Sequence, residues 1–340
     1  MTTPNLLGSD LPIVAAPMAG GATTTALAAA ATRAGAFAFL PGGYLTPERL
    51  AADIAAARAW DSPFGVNLFV PGTGSLDRAA FAAYARRLAP EADALGVELS
   101  ADPVDDDDRW PDKLALLLDD PVPVVSFTFG LPGPADIHAL RRAGTVVLAS
   151  VTTADEAAAA SDGGVDGLVA QGPAAGGHSA TWDPARRVAD APTASVVRAV
   201  AAAVDLPLVA AGGVGGPEAV RELLTAGAQA VAVGTLLLRT DESGASATYR
   251  DALAASDRGT VVTRSFTGRP ARAVRNRFVD RHDAVAPVGY PAIHHLTRDL
   301  RRRAAAAGDA ERLHLWAGTG YRHATTGAAA EVVRGLAAAL

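Results

Sequence analysis

Eight short apolar runs, each followed by a stretch able to form a helix, constrain this chain more than any other feature. The runs fall at residues 12–16, 36–40, 64–69, 122–127, 145–150, 167–170, 206–211 and 230–233. Helix-compatible, Ala-rich stretches follow at 23–34, from Thr46-Pro47-Glu48 onward, at 134–143, 153–161, near 194–203 and at 217–226. Runs of four to six apolar residues without alternation are what parallel strands buried on both faces require. A strand alternating with a helix eight times reads as an α/β fold, the (β/α)8 TIM barrel, closing near residue 240. A doubly wound sheet is the structural rival, but it would use fewer strands over this length.

Composition supports a packed enzyme core. Of 340 residues 49% are hydrophobic and 19% charged, so the chain is able to bury a sizeable interior. Aromatics are only 5%, which leaves that interior to Ala, Val and Leu. A net charge of -6 argues against a protein that coats nucleic acid. With no cysteine there is no disulfide, thiolate metal site, iron–sulfur cluster or cysteine nucleophile. Lys113 is the single lysine, so Schiff-base chemistry rests on that residue or is absent. Residues 1–10 carry no basic segment before an apolar run, and no apolar stretch is long enough for a membrane span. A cytoplasmic enzyme is therefore expected.

The barrel accounts for residues 1–240, with 70–121 as an insertion between the third and fourth strands. That insertion holds a helix near 76–88 and the acidic run 105–108, expected to be a solvated, self-repelling loop because no spaced calcium loop surrounds it. Residues 241–310, rich in Arg, are expected to form a small, mostly helical subdomain at the barrel mouth. Residues 311–340 return to the barrel and end in an amphipathic helix at 328–340.

Active-site residues of such barrels sit at the C-terminal ends of the strands. There the chain places Pro17 and Met18, Asn67, Gln171, Gly176-Gly177-His178, Gly212-Gly213 and Gly234-Thr235. The last two pairs follow the seventh and eighth barrel strands, where glycines and free backbone N–H groups commonly hold a phosphate. A phosphorylated cofactor or substrate follows. No G-x-G-x-x-G follows the first strand, against a Rossmann dinucleotide site. His178, after two glycines beside that site, is the candidate acid–base or anion-holding group. Adjacent His294 and His295 cannot easily converge on one metal, so no metal site is expected. Ser150 and Ser179 lack a nucleophile-elbow setting.

These residues, in this order, resemble the nitronate monooxygenase family (2-nitropropane dioxygenases) nearly end to end. The resemblance is carried by Pro12-Ile13-Val14-Ala15-Ala16-Pro17-Met18-Ala19-Gly20, Pro63-Phe64-Gly65-Val66-Asn67-Leu68, Val125-Ser126-Phe127-Thr128-Phe129-Gly130 and, most specifically, Gln171-Gly172-Pro173-Ala174-Ala175-Gly176-Gly177-His178. Ala210-Ala211-Gly212-Gly213-Val214, Val233-Gly234-Thr235, Thr267-Gly268-Arg269-Pro270-Ala271-Arg272 and Leu315-Trp316-Ala317-Gly318 continue it. The resemblance implies an FMN-dependent barrel oxidising alkyl nitronates, or nitroalkanes, with O2 to a carbonyl compound and nitrite. It implies that Pro17 and Met18 line the flavin ring and that Asn67 and Gln171 hydrogen-bond its edge. Gly176, Gly177, Gly212, Gly213, Gly234 and Thr235 would hold the ribityl phosphate, His178 would be catalytic, and Trp316 to Gly318 would close over the flavin. The chain departs from the family pattern at Ala175, Thr128 and Thr319, which bears on the substrate more than on the flavin. An NAD(P)H:quinone or enoyl reductase on the same fold is the nearest alternative, with the arginines of 264–281 as a phosphate or acyl-carrier contact. A non-catalytic flavin-binding scaffold has no need of His178. The expected partners are a small nitro compound and O2, without nucleic acid or membrane, and with a homodimer left open.

Overall fold

The computed structural model describes residues 6–72, 74, 76–338 and 340. Residues 1–5, half of the segment weighed as a leader, lie outside them, as do Thr73, Ser75 and Ala339. In chain order the strands are β1 (Ile13–Ala15), β2 (Phe37–Pro41), β3 (Phe64–Phe69), β4 (Val124–Thr128), β5 (Val146–Val151), β6 (Gly167–Gln171), β7 (Gly177–His178), β8 (Leu208–Ala211), β9 (Ala230–Val233), β10 (Thr260–Thr263) and β11 (Ala271–Val274). β1–β6, β8 and β9 close into one parallel barrel, β9 pairing back on β1 through Ile13–Val231 and Ala15–Val233. This is the TIM barrel expected from the eight apolar runs.

Strand alternation divides each strand between two cores. Ala38, Leu40, Val66, Leu68, Val125 and Phe127 face the helices, in one large apolar layer with Leu27, Leu50 and Ile54. Phe37, Phe39, Val124, Leu148 and Val209 fill the barrel interior. Gly65 makes that filling feasible, since a Cβ there would lie 2.3 Å from the Phe39 ring. Threonines end several βα loops: Thr24, Thr46 and Thr153 accept from the backbone N–H of Leu27, Arg49 and Glu156 and start the helices Thr25–Arg33, Pro47–Ala57 and Ala154–Asp162. No helix among the described residues is long and apolar enough to cross a membrane.

The segments outside the barrel add detail to the expectation. Residues 241–310 hold the helices Ala247–Ala255, Arg277–His282 and Ala292–Ala306, but also β10 and β11. With β7 these make a three-stranded antiparallel sheet in the order β10-β11-β7. The β-branched Thr260-Val261-Val262-Thr263 carries the strand signal within this mostly helical segment. The insertion, in turn, packs on this subdomain through its helix Arg78–Asp93. Phe81, Tyr84 and Leu88 share a core with Phe266, Phe278, Ile293 and Leu300. Buried Glu91 accepts from Arg281 at 3.0 Å and Arg312 at 2.6 Å, and lies 3.3 Å from His282 Nε2. A second insertion helix, Trp110–Asp119, was not foreseen. The acidic run is also only partly a solvated loop. Asp108 pairs with the buried ammonium of Lys113 at 2.8 Å and accepts from Tyr44 N–H, while Asp106 meets His295 Nε2 at 2.8 Å.

Candidate active site

A cavity of about 570 Å³ opens at the C-terminal ends of the barrel strands. Inward-facing positions build it. Val14, Phe39, Val169 and Val209 lie at its base. One step further along the strands the inward positions turn polar. Asn67 donates to Ser126 Oγ and Thr128 Oγ1, both at 2.9 Å, and Thr128 Oγ1 lies 3.2 Å from Ser150 Oγ. Each of these buried polar atoms is thereby satisfied inside the protein.

All the glycine positions expected to approach a ligand line this cavity: Gly176, Gly177, Gly212, Gly213, Gly234 and Gly318, with Thr235 beside them. Their lack of a side chain is a requirement. A Cβ on Gly176 would stand 2.5 Å from Gly318 N, and one on Gly212 2.7 Å from Ala175 N. Gly212 and Gly213 also hold φ of +109° and +79°. Among the described residues, the N–H groups of Gly212, Gly213, Gly234 and Thr235 make no hydrogen bond to protein. Four unpaired donors in the loops after the last two barrel strands are what an anion site requires. Thr235 Oγ1 accepts from Gly318 N–H at 3.0 Å, which ties the C-terminal segment to those loops.

Pro17, Met18, Asn67, Gln171, His178 and Trp316 line the same cavity. Gln171 also has a structural role. Its Nε2 donates to His178 O at 3.2 Å and its Oε1 accepts from Ala180 N–H at 2.7 Å, so the amide braces the histidine strand instead of standing free. Asn67 is likewise committed through its Nδ2 to Ser126 and Thr128, and its Oδ1 has no protein donor among the described residues.

The small sheet explains how His178 is held. β11 pairs with β7 in the register Ala271–His178, and Ala273 bridges to Trp316. One strand thus positions both aromatic residues over the barrel mouth. The His178 ring meets Trp316, Phe129 and Tyr290 at centroid separations of 5.6, 5.7 and 5.7 Å. Its Nε2 lies 2.8 Å from Thr267 Oγ1. Burial, reinforced by the positive charges of Arg269 and Arg301, lowers its pKa to about 3. The ring is neutral at pH 7. Phe129 itself takes φ of +82°, unusual for a bulky residue, with the Arg269 guanidinium 3.8 Å above its ring.

Several lining residues escape a strand-end reading because they come from the subdomain and the second βα loop. Tyr44 and His294 stack at 4.3 Å, and His294 Nδ1 lies 3.2 Å from Arg301 Nη2. His295 turns away to Asp106, and no group of metal-binding side chains exists among the described residues. Thr128 lines the cavity, whereas Thr319 is exposed. The arginines of 264–281 are mostly engaged. Arg264 donates to the carbonyls of Pro184, Ala185 and Arg186, Arg269 to Thr181 O and Arg272 to Pro173 O; Arg275 pairs with Asp280 and Arg281 with Glu91. Arg277 has only Asp309, at 4.0 Å.

Comparison with known proteins points to one family. The family model described as nitronate monooxygenase matches residues 7–338. A probable nitronate monooxygenase of Staphylococcus aureus is 34% identical over 334 residues, covering 96% of this chain and 94% of its own. The crystal structure of nitroalkane oxidase from Streptomyces ansochromogenes superposes with a TM-score of 0.92 at 45% identity, covering 98% of this chain and 96% of that one. The structure of FabK from Thermotoga maritima has a TM-score of 0.73 at 26% identity, covering 97% and 93%. With a barrel closed in the expected order, glycines and a half-buried histidine lining the cavity at its mouth, and a match spanning almost the whole chain, this protein belongs to the nitronate monooxygenase family.

Proposed function

We propose that this chain is an FMN-dependent oxidoreductase that converts alkyl nitronates with O2 to a carbonyl compound and nitrite. The observation that carries the reading is one cavity lined both by unpaired backbone N–H groups and by a neutral, half-buried imidazole. The residues fit FMN. Gly212, Gly213, Gly234 and Thr235 would hold its phosphate, Gly176 and Gly318 let the two cavity-lining segments that carry them pack closely, and Pro17, Met18 and Trp316 offer surfaces to its ring. FMN supplies electron acceptance and reaction with O2 when bound.

The chain's own groups bind and orient the substrate. A histidine with a pKa near 3 is a weak base at neutral pH, poorly matched to removing a proton from carbon. It is better suited to holding a substrate that is already an anion. The Thr267 hydroxyl serves either ring tautomer. It accepts from Nε2–H while donating to Arg269 O, or it donates to a bare Nε2 and leaves the proton on Nδ1. An anionic nitro group selects the second arrangement, because Nδ1, which has no protein partner among the described residues, then donates to it. Phe129, Tyr290 and Trp316 limit water around the ring, which strengthens that bond.

In this reading the partners are a small nitro compound and O2, and nucleic acid has no place against a net charge of -6. The enzyme acts in the cytoplasm, and sedimentation decides between monomer and homodimer. The reductase alternative loses its main support, since the arginines of 264–281 are engaged within the protein. His178→Asn tests the assignment. It is expected to keep the flavin spectrum and to lose about 100-fold or more in turnover of ethyl nitronate. Full turnover with FMN still bound would remove His178 from the reaction.

A further inference from the structure

The cavity contains a cation that the chemistry above leaves unused. Arg301, on the helix Ala292–Ala306, is 7% exposed and lines the cavity. Its Nε donates to Thr297 Oγ1 at 3.1 Å, and its Nη2 to His294 O at 3.0 Å and towards His294 Nδ1 at 3.2 Å. Nη1 has no protein acceptor among the described residues, and no carboxylate pairs with this guanidinium. The helix's one nearby acid, Asp299, is taken by Arg302 at 3.0 Å and Arg298 at 3.7 Å, both on the cavity rim. Three arginines against one carboxylate leave this wall of the cavity positive in a chain whose net charge is negative.

Arg269 marks the contrast. It too is buried without a carboxylate, but it covers the Phe129 ring, donates to Thr181 O and does not line the cavity. Arg301 instead keeps one arm of its fork free at the cavity wall. A buried, unpaired guanidinium is costly unless an anion completes it. The neighbouring groups supply none: Tyr44, His294 and His178 are neutral at pH 7.

We infer that Arg301 is the specificity-determining residue that makes this cavity select a planar oxyanion, here the nitronate form of the substrate, over the neutral nitro form. The inference rests on the proposed reaction for the identity of the anion, but its geometry does not. The cofactor phosphate is a second source of the same chemistry, and affinity for FMN distinguishes the two.

The test uses the FMN-loaded enzyme and an isosteric pair, acetate and acetamide, titrated while the visible flavin spectrum is followed. Wild type is expected to bind acetate about tenfold or more tightly than acetamide, as a charge-assisted hydrogen bond demands. Arg301→Gln is expected to bring the two within about twofold, with FMN affinity unchanged, and Arg301→Lys to keep most of the preference. Wild type without an acetate preference overturns the inference and needs no variant. So does a preference that survives in Arg301→Gln, or a loss of FMN affinity of about tenfold in that variant, which would assign Arg301 to the cofactor. Nitrite release by wild type is read separately. Nitrite without an acetate preference removes only the role of Arg301, whereas an acetate preference without nitrite removes only the proposed reaction.

Discussion

Lowering the pH from 7.5 to 5.0 should destabilise this protein through His294, by an amount the structure allows to be worked out. His294 is 7% exposed and stacked on Tyr44. Burial first, then the charge of Arg301, drives its pKa far below the ordinary 6.5. Protonation would place a second cation 3.2 Å from the guanidinium and abolish the acceptor on Nδ1. The unfolded chain therefore takes up the proton and the folded one does not, so stability falls as the pH drops below 6.5. The loss is set by the unfolded value alone while the folded ring stays neutral. It is about 0.1 kcal/mol at pH 7.5 and about 2 kcal/mol at pH 5.0. Guanidinium unfolding of the FMN-saturated protein at both pH values, for wild type and His294→Gln, measures it. The variant cannot titrate there, so its acid-induced loss should be about 2 kcal/mol smaller. An equal loss in the two proteins would refute the claim that His294 is buried neutral.

Other outcomes follow from single contacts. Gly176→Ala would push a methyl to 2.5 Å from Gly318 N, a backbone atom, and should weaken FMN binding about tenfold or more by fluorescence titration. Thr267→Val removes the hydroxyl 2.8 Å from His178 Nε2 and should lower kcat for ethyl nitronate about tenfold, with Thr267→Ser restoring most of it. Glu91→Ala leaves Arg281, Arg312 and His282 without their shared acceptor and should cost about 3 kcal/mol of stability in denaturant titration. With His178 neutral down to about pH 3, kcat/KM for a preformed nitronate should show no inflection near 6.5.

The barrel was legible because buried parallel strands announce themselves as unbroken apolar runs, and the eight runs became eight barrel strands. Gly212, Gly213, Gly234 and Thr235 were legible as cavity-lining positions because they follow the last two barrel strands, where the fold opens its cavity. The mouth was harder to read. β10 and β11 are four residues each, and their partner β7 is only two, too short for any periodicity. What places His178 is a pairing across more than ninety residues with Ala271, which no local pattern encodes. Arg301 and His294 were equally hidden. They lie on a long polar helix whose cavity-facing positions look like ordinary surface until the helix is docked. Gln171 was legible as a cavity-lining position at a strand end, but its bracing of the histidine strand, through His178 O and Ala180 N–H, was not.

The central claim is that this cavity binds FMN and oxidises a nitronate, and one measurement addresses it. The purified protein, its visible spectrum recorded, is given ethyl nitronate under air while nitrite and O2 are followed. A flavin spectrum with nitrite release and O2 uptake is the predicted result. A folded, flavin-bound protein that releases no nitrite but is bleached by NADH or NADPH without air would contradict the account and make it a reductase.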